Sequence, residues 1–65
     1  MTGTMQLEEF VVKSAERYIE LREQFPNDTR PRMDFNKDVL EYLQAQRLTP
    51  QEKGEYVAMY YRLRG

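Results

Sequence analysis

The charged side chains are the main groups of this chain that could do acid–base or metal chemistry. The 65 residues include 11 Asp or Glu and 10 Lys or Arg, with no histidine and no cysteine. An enzyme built from this set would need paired carboxylates, an activated lysine or a metal ion held by oxygen ligands. The densest acidic group, Glu16, Glu20 and Glu23, falls on the polar side of a predicted helix, where solvated carboxylates are ordinary.

Phosphate loops and nucleophile motifs would require glycines at close spacing. The three glycines stand at positions 3, 54 and 65, which cannot form either motif. We therefore predict a protein that is not an enzyme, with no metal, no cofactor and no small-molecule substrate.

Four arginines could bind anions: Arg30, Arg32, Arg62 and Arg64. Guanidinium groups fork to match phosphate oxygens, and the neighbouring tyrosines could stack on unpaired bases. The simpler interpretation is that the first pair contacts local acids in a solvated loop and the second pair interacts with the last carbonyls of a helix. Because the net charge is −1, no overall field attracts nucleic acid. A small nucleic-acid-binding dimer is therefore the alternative function.

The C-terminal stretch carries the clearest helix signal. Thr49 can accept at the N-cap, Pro50 suits the first helical position, and Glu52 is placed to complete a capping box. These features predict a helix over about residues 50–64, with an apolar stripe that includes Tyr56, Met59, Tyr60 and Leu63. The residues Leu48 to Glu52 resemble the opening of some helix-turn-helix domains, and five residues do not identify a family.

The first helix is predicted over about residues 4–24, with Thr4 as its N-cap and an end before Phe25-Pro26. Its main apolar stripe is flanked by Val12 and Ile19, which lie seven residues apart. Together the apolar positions span roughly 200 degrees, about twice the arc that a helix packed on one side needs. This helix is therefore expected to contact more than its own small fold.

The second helix is predicted over about residues 35–46. Asn36 is the better N-cap, because Phe35 and Leu40 then have the spacing of a hydrophobic staple. Residues 26–33 are expected to form an irregular connection rich in turn formers. Only Arg47 and Leu48 separate the second helix from Thr49, so a tight corner should follow. The sequence predicts a single all-α domain over residues 1–65, with one long helix and two shorter ones.

The size and composition of the chain indicate association with another protein. A domain of this length buries only about 60% of its unfolded surface, and without cysteine or histidine it has no disulfide or zinc site to stabilise it. A homodimer is therefore expected. The sequence shows neither a secretory signal nor an apolar run long enough for a membrane span, and the expected compartment is the cytoplasm.

The predicted function is that of a protein-binding regulator, inhibitor or assembly subunit. Its interface is expected at Val12 and Ile19 on the first helix and at Tyr61 on the third. Gly54 and Ala58 could add a flat strip to this interface. A glycine inside a helix costs on the order of 1 kcal/mol against alanine, and close contact with a partner would explain its presence.

Overall fold

The computed structural model describes the backbone of residues 3–65 and the side chains from residue 6 onward. It contains three helices, α1 (Gly3–Gln24), α2 (Arg30–Ala45) and α3 (Pro50–Arg64). The described residues include no strand. The predicted all-α fold with a long first helix is therefore confirmed. Within the described residues, no helix combines the length and the apolar character that crossing a membrane requires.

The three helices form an up-down-up arrangement. Phe10 near the start of α1 packs on Tyr42 near the end of α2, with ring centroids 4.3 Å apart, so these helices are antiparallel. Arg22 near the end of α1 reaches the carbonyl oxygen of Arg64 at the end of α3 over 3.5 Å, so α1 and α3 are parallel. The molecule measures 37 × 17 × 17 Å, and its ends therefore correspond to helix ends.

The core lies where the three helices meet, and the apolar stripe of α1 supplies half of its central residues. Its central residues are Leu7, Val11, Ala15, Val39, Leu43 and Tyr60. Tyr60, Leu43 and Val11 are the largest side chains that are fully buried. Full burial of an apolar side chain stabilises by about 1.5–3 kcal/mol. The packing of α1 against α2 and α3 therefore depends strongly on these three residues.

The start of α2 differs from the sequence prediction. The helix begins at Arg30, not near Phe35, so residues 30–33 are helical rather than part of an irregular connection. Pro31 falls in the first turn, where its missing N–H has no helical partner to lose. The Asp28 carboxylate accepts the N–H of Arg30 over 3.1 Å and so satisfies one of the exposed donors of the first turn.

Asn36 is therefore not the N-cap that the sequence suggested. It lies inside α2 and is buried beside Val39 and Leu43 on the core side of the helix. Its side-chain oxygen has no hydrogen-bond partner among the described residues. The staple spacing of Phe35 and Leu40 arises instead from ordinary packing, since both side chains contact the core cluster.

The start of α3 follows the sequence prediction. The Thr49 hydroxyl accepts the N–H of Glu52 over 3.1 Å, and the Glu52 carboxylate accepts the N–H of Thr49 over 3.0 Å. This capping box is confirmed, with Pro50 in the first turn. The corner between α2 and α3 comprises residues 46–49. For α1, Thr4 lies inside the helix, and its side chain falls outside the described ones.

Candidate protein-binding surface

One long side of the molecule is formed by α1 and α3 together, and we call it the α1/α3 face. From α1 it takes residues that helical periodicity places within a sector of about 80 degrees, namely Glu8, Val12, Glu16, Ile19 and Glu23. From α3 it takes Glu52, Glu55, Met59, Arg62 and Leu63. The two rows are joined by a shallow cleft that Glu8 lines together with Glu52, Glu55 and Met59. Because α1 and α3 are parallel, the rows run side by side.

The centre of the α1/α3 face is apolar and only partly covered. Val12 is 41% exposed and Leu63 is 43% exposed, while Ile19 and Met59 are half-buried. Val12 and Ile19 are thus at the accessible flank of α1, where the sequence placed them. Isolated exposed apolar residues are normal, but these four follow adjoining rows and together form a candidate interaction surface.

Carboxylates surround this apolar strip. Glu8, Glu16 and Glu23 of α1 and Glu52 and Glu55 of α3 are all exposed. The ion pairs of the described residues join Glu9 to Lys13, Arg17 to Glu20 and Asp28 to Arg30, and none of them lies on this face. Glu52 is held by the capping box, and Glu55 accepts from the Gln51 amide over 3.3 Å. The described residues hold no group of three or more acidic side chains that could bind a metal ion.

The other predicted interface residues lie on a second surface, the α2/α3 face. Gly54 lines an open cleft of about 460 Å³ with Gln44, Pro50, Lys53 and Val57. Ala58 and Tyr61 follow Gly54 by four and seven residues and so lie on the same side of α3. That side is about 160 degrees away from Met59 and Leu63 at 100 degrees per residue. The five residues predicted as one interface therefore occupy two faces that share α3.

Gly54 has space for a side chain in the isolated protein. A Cβ atom built at this position meets nothing within 4 Å, so no internal contact accounts for the glycine. We expect Gly54→Ala to raise the free energy of unfolding by up to about 1 kcal/mol, because alanine favours the helix, and to raise the Tm by several degrees. Thermal unfolding followed by circular dichroism measures this. The exposed Ala58→Gly is the matched control and should lower the Tm by a similar amount, whereas a lower Tm for Gly54→Ala would contradict the expectation.

The arginines predicted as an anion site lie at one end of the molecule. The up-down-up topology brings the end of α1, the start of α2 and the end of α3 together there. Arg30 pairs with Asp28 over 3.4 Å, and Arg32 donates to the carbonyl oxygen of Phe25 over 3.4 Å. Arg62 is exposed on the α1/α3 face. The structure therefore gathers these arginines at one end, while local contacts occupy the side chains of the first pair.

Arg64 is packed among aromatic rings. Its guanidinium carbon lies 4.2 Å from the ring centroid of Tyr18 and 4.5 Å from that of Tyr61, with Tyr60 at 5.7 Å. Cation–π contacts of this kind contribute about 0.5–2 kcal/mol each, depending on exposure. Arg64 therefore links the C-terminal end of α3 to α1, and the ring of Tyr61 makes an intramolecular cation–π contact.

Burial raises the pKa of Tyr60 to about 12 from an ordinary value of 10.0, with the charge of Arg64 acting in the opposite direction. Since the neutral phenol is favoured in the folded state, this contribution to stability is fully present below pH 10. We expect it to be lost as the pH rises from about 10 to 12, by on the order of 2 kcal/mol. Denaturant titrations at pH 9 and pH 11.5 measure the loss. Tyr60→Phe should show a smaller loss, and an equal loss in both proteins would contradict this assignment.

Sequence reasoning missed half of the α1/α3 face. The sequence places Met59 and Leu63 on one apolar stripe with Tyr56 and Tyr60, whereas in the structure Tyr60 is buried and Leu63 is 43% exposed. The carboxylates were assigned to a solvated polar side. Their arrangement around the strip depends on the parallel alignment of α1 and α3. The periodicity of a single helix cannot predict that alignment.

No family model, no curated protein and no solved structure matches the chain.

Proposed function

We propose that this protein works by binding another protein through the α1/α3 face, as a regulator, an inhibitor or an assembly subunit, in the cytoplasm. The observation that carries the proposal is the apolar strip of Val12, Ile19, Met59 and Leu63. Val12 and Leu63 are more than 40% exposed, although other residues of the same two helices form the buried core. An apolar strip rimmed by polar groups is the common form of a protein-binding site.

The apolar strip alone would give weak binding. Covering the exposed parts of its four side chains contributes on the order of 3 kcal/mol, judged from about 1.5–3 kcal/mol for a fully buried residue. A dissociation constant of 1 μM requires about 8 kcal/mol. The remaining free energy must come from the apolar surface that the partner buries in the same contact and from the charged groups of the rim.

A second copy of the chain would fit the α2/α3 face better than the α1/α3 face. Two α1/α3 faces would bring their carboxylates together, and like charges oppose such contact. The α2/α3 face instead offers Gly54, Ala58 and Pro50, which allow close approach of another helix. The expected homodimer therefore remains a proposal, with the α2/α3 face as its contact surface.

A photo-crosslinking amino acid at position 12 tests the proposed function. Lys13 is the matched control, because it is the next residue in α1 but lies about 100 degrees further round the helix, outside the face, where it pairs with Glu9. In the native host, we expect position 12 to give a covalent adduct with another protein chain and position 13 to give far less. Equal yields at both positions, or no adduct at position 12, would refute the proposal.

Nucleic-acid binding by a small dimer is the second candidate, and the gathering of arginines at one end of the molecule favours it. Arg30, Arg32 and Arg64 are held in local contacts, so Arg62 would carry most of the interaction. Binding to labelled single-stranded or duplex DNA should then weaken steeply with salt, because phosphate contacts release counterions. Arg62→Ala should also reduce it. Absent or salt-insensitive binding would exclude this candidate.

A further inference from the structure

We propose that the partner of the α1/α3 face is a basic amphipathic helix of another protein, which packs along the groove between α1 and α3 as the fourth helix of a bundle. The inference rests on the proposed function, and it specifies the chemistry of the partner. It is carried by the apolar strip together with the unequal charges that surround it.

The form of the face suits a helix. α1 and α3 run parallel, and helical periodicity places Val12, Ile19, Met59 and Leu63 on the sides of the two helices that border the groove between them. Met59 also lines the shallow cleft there, with Glu8, Glu52, Glu55 and Tyr56. Amphipathic helices bind such grooves through apolar residues at three-, four- and seven-residue spacing. A fourth helix laid beside two neighbours is also the normal way in which a three-helix arrangement becomes a four-helix bundle. The groove is as long as α3, whose 15 residues span about 22 Å, so the docked segment is a helix of about 15 residues.

The charges of the face select a basic partner. Five carboxylates and one guanidinium group, that of Arg62, lie on the α1/α3 face as defined by the described residues. Glu8, Glu16 and Glu23 follow one another along α1 at intervals of eight and seven residues, which is about 11–12 Å. Lys or Arg at seven-residue spacing on a partner helix would match this row. Complementary charges at a rim raise the association rate and fix the register of docking.

The opposite arrangement would be unfavourable. An acidic helix would place its carboxylates against those of the face, and a second copy of this chain would do the same through its own α1/α3 face. The ion pairs of the described residues lie elsewhere on the molecule, so a partner need not displace an internal cation from these carboxylates.

A pair of synthetic helical peptides tests the inference on the full chain. Both are about 15 residues long, with leucine at the apolar positions and either lysine or glutamate at all others. We expect the Leu/Lys peptide to shift the backbone amide resonances of the α1/α3 face in nuclear magnetic resonance titrations, and to bind at least tenfold more weakly at high salt than at low salt. The Leu/Glu peptide should not bind.

Matched charge variants identify the surface. Glu8→Gln, Glu16→Gln and Glu55→Gln together should weaken binding of the Leu/Lys peptide by about tenfold, since exposed ion pairs contribute up to about 1 kcal/mol each. Asp34→Asn, Asp38→Asn and Glu41→Gln change the net charge equally but lie on the exposed side of α2, away from the face, and should alter binding by less than about twofold. Equal effects of the two sets, resonance shifts centred on another surface, or equal binding of both peptides would overturn the inference.

The cross-linking and peptide experiments together distinguish a wrong partner class from a wrong proposed function. If position 12 cross-links to a protein in the host and the Leu/Lys peptide does not bind, the face is a protein-binding site and the partner is not a basic helix. If position 12 gives no adduct, the proposed function fails together with the inference.

Discussion

Replacing Tyr60 with alanine is expected to unfold a large fraction of the molecules at room temperature. Tyr60 is fully buried in the cluster that joins all three helices. Removing a buried aromatic side chain costs about 3–5 kcal/mol. A domain of 65 residues has a free energy of unfolding of only about 3–10 kcal/mol. Far-ultraviolet circular dichroism with a denaturant titration would measure the loss.

Two further substitutions separate the role of the ring from that of the hydroxyl. Tyr61→Ala removes the same group from the next position, which is 40% exposed, and should cost about 1 kcal/mol or less beyond its contact with Arg64. Tyr60→Phe should be neutral or stabilising, because the buried hydroxyl has no hydrogen-bond partner among the described residues. A folded Tyr60→Ala protein with near-normal stability would contradict the proposed core.

Substituting both Val12 and Ile19 with glutamate is expected to weaken partner binding at least about a hundredfold. Two carboxylates in the centre of the apolar strip would have to lose their water on docking, which costs several kcal/mol even beside a basic partner. Both positions are on the outer flank of α1, and glutamate is a better helix former than valine or isoleucine. Helix content should therefore be unchanged. The measurement is the amount of the host protein, identified through its position-12 adduct, that co-purifies with each variant.

The control for this variant carries the same change in charge on the other side of α1. Gln6→Glu with Gln24→Glu adds two negative charges at exposed positions that helical periodicity places away from the α1/α3 face. Its partner binding should stay within about threefold of the original protein. Equal loss in both double variants would show that total charge, and not the apolar strip, determines binding.

The fold was largely predictable because its signals are local. The capping box of Thr49 and Glu52 depends on residues three apart, and the wide apolar arc of α1 is visible from periodicity alone. The start of α2 was not predictable in the same way. Asn36 has the sequence features of an N-cap, because Phe35 and Leu40 flank it at the spacing of a hydrophobic staple. The helix in fact begins at Arg30, where Pro31 lies in the first turn and the Asp28 carboxylate accepts the N–H of Arg30.

The candidate surface was only half predictable, because it depends on how two distant helices align. Val12 and Ile19 could be chosen from one helix. Their neighbours Met59 and Leu63 could not, since the apolar stripe of α3 is wide and the sequence does not state which edge faces α1. The same limit applies to Gly54 and Tyr61, which were grouped with Val12 although α3 presents them to another face.

Carboxylate footprinting tests the central claim most directly, because it uses the unaltered chain. The protein is labelled with a carbodiimide and an amine, once purified and once in native host extract, and each carboxylate is quantified by mass spectrometry. We predict that Glu8, Glu16 and Glu55 are protected in the extract, while Asp38 and Glu41, on the exposed side of α2, are labelled equally in both samples. Equal labelling of all five carboxylates in the two samples would contradict the claim that the α1/α3 face binds another protein.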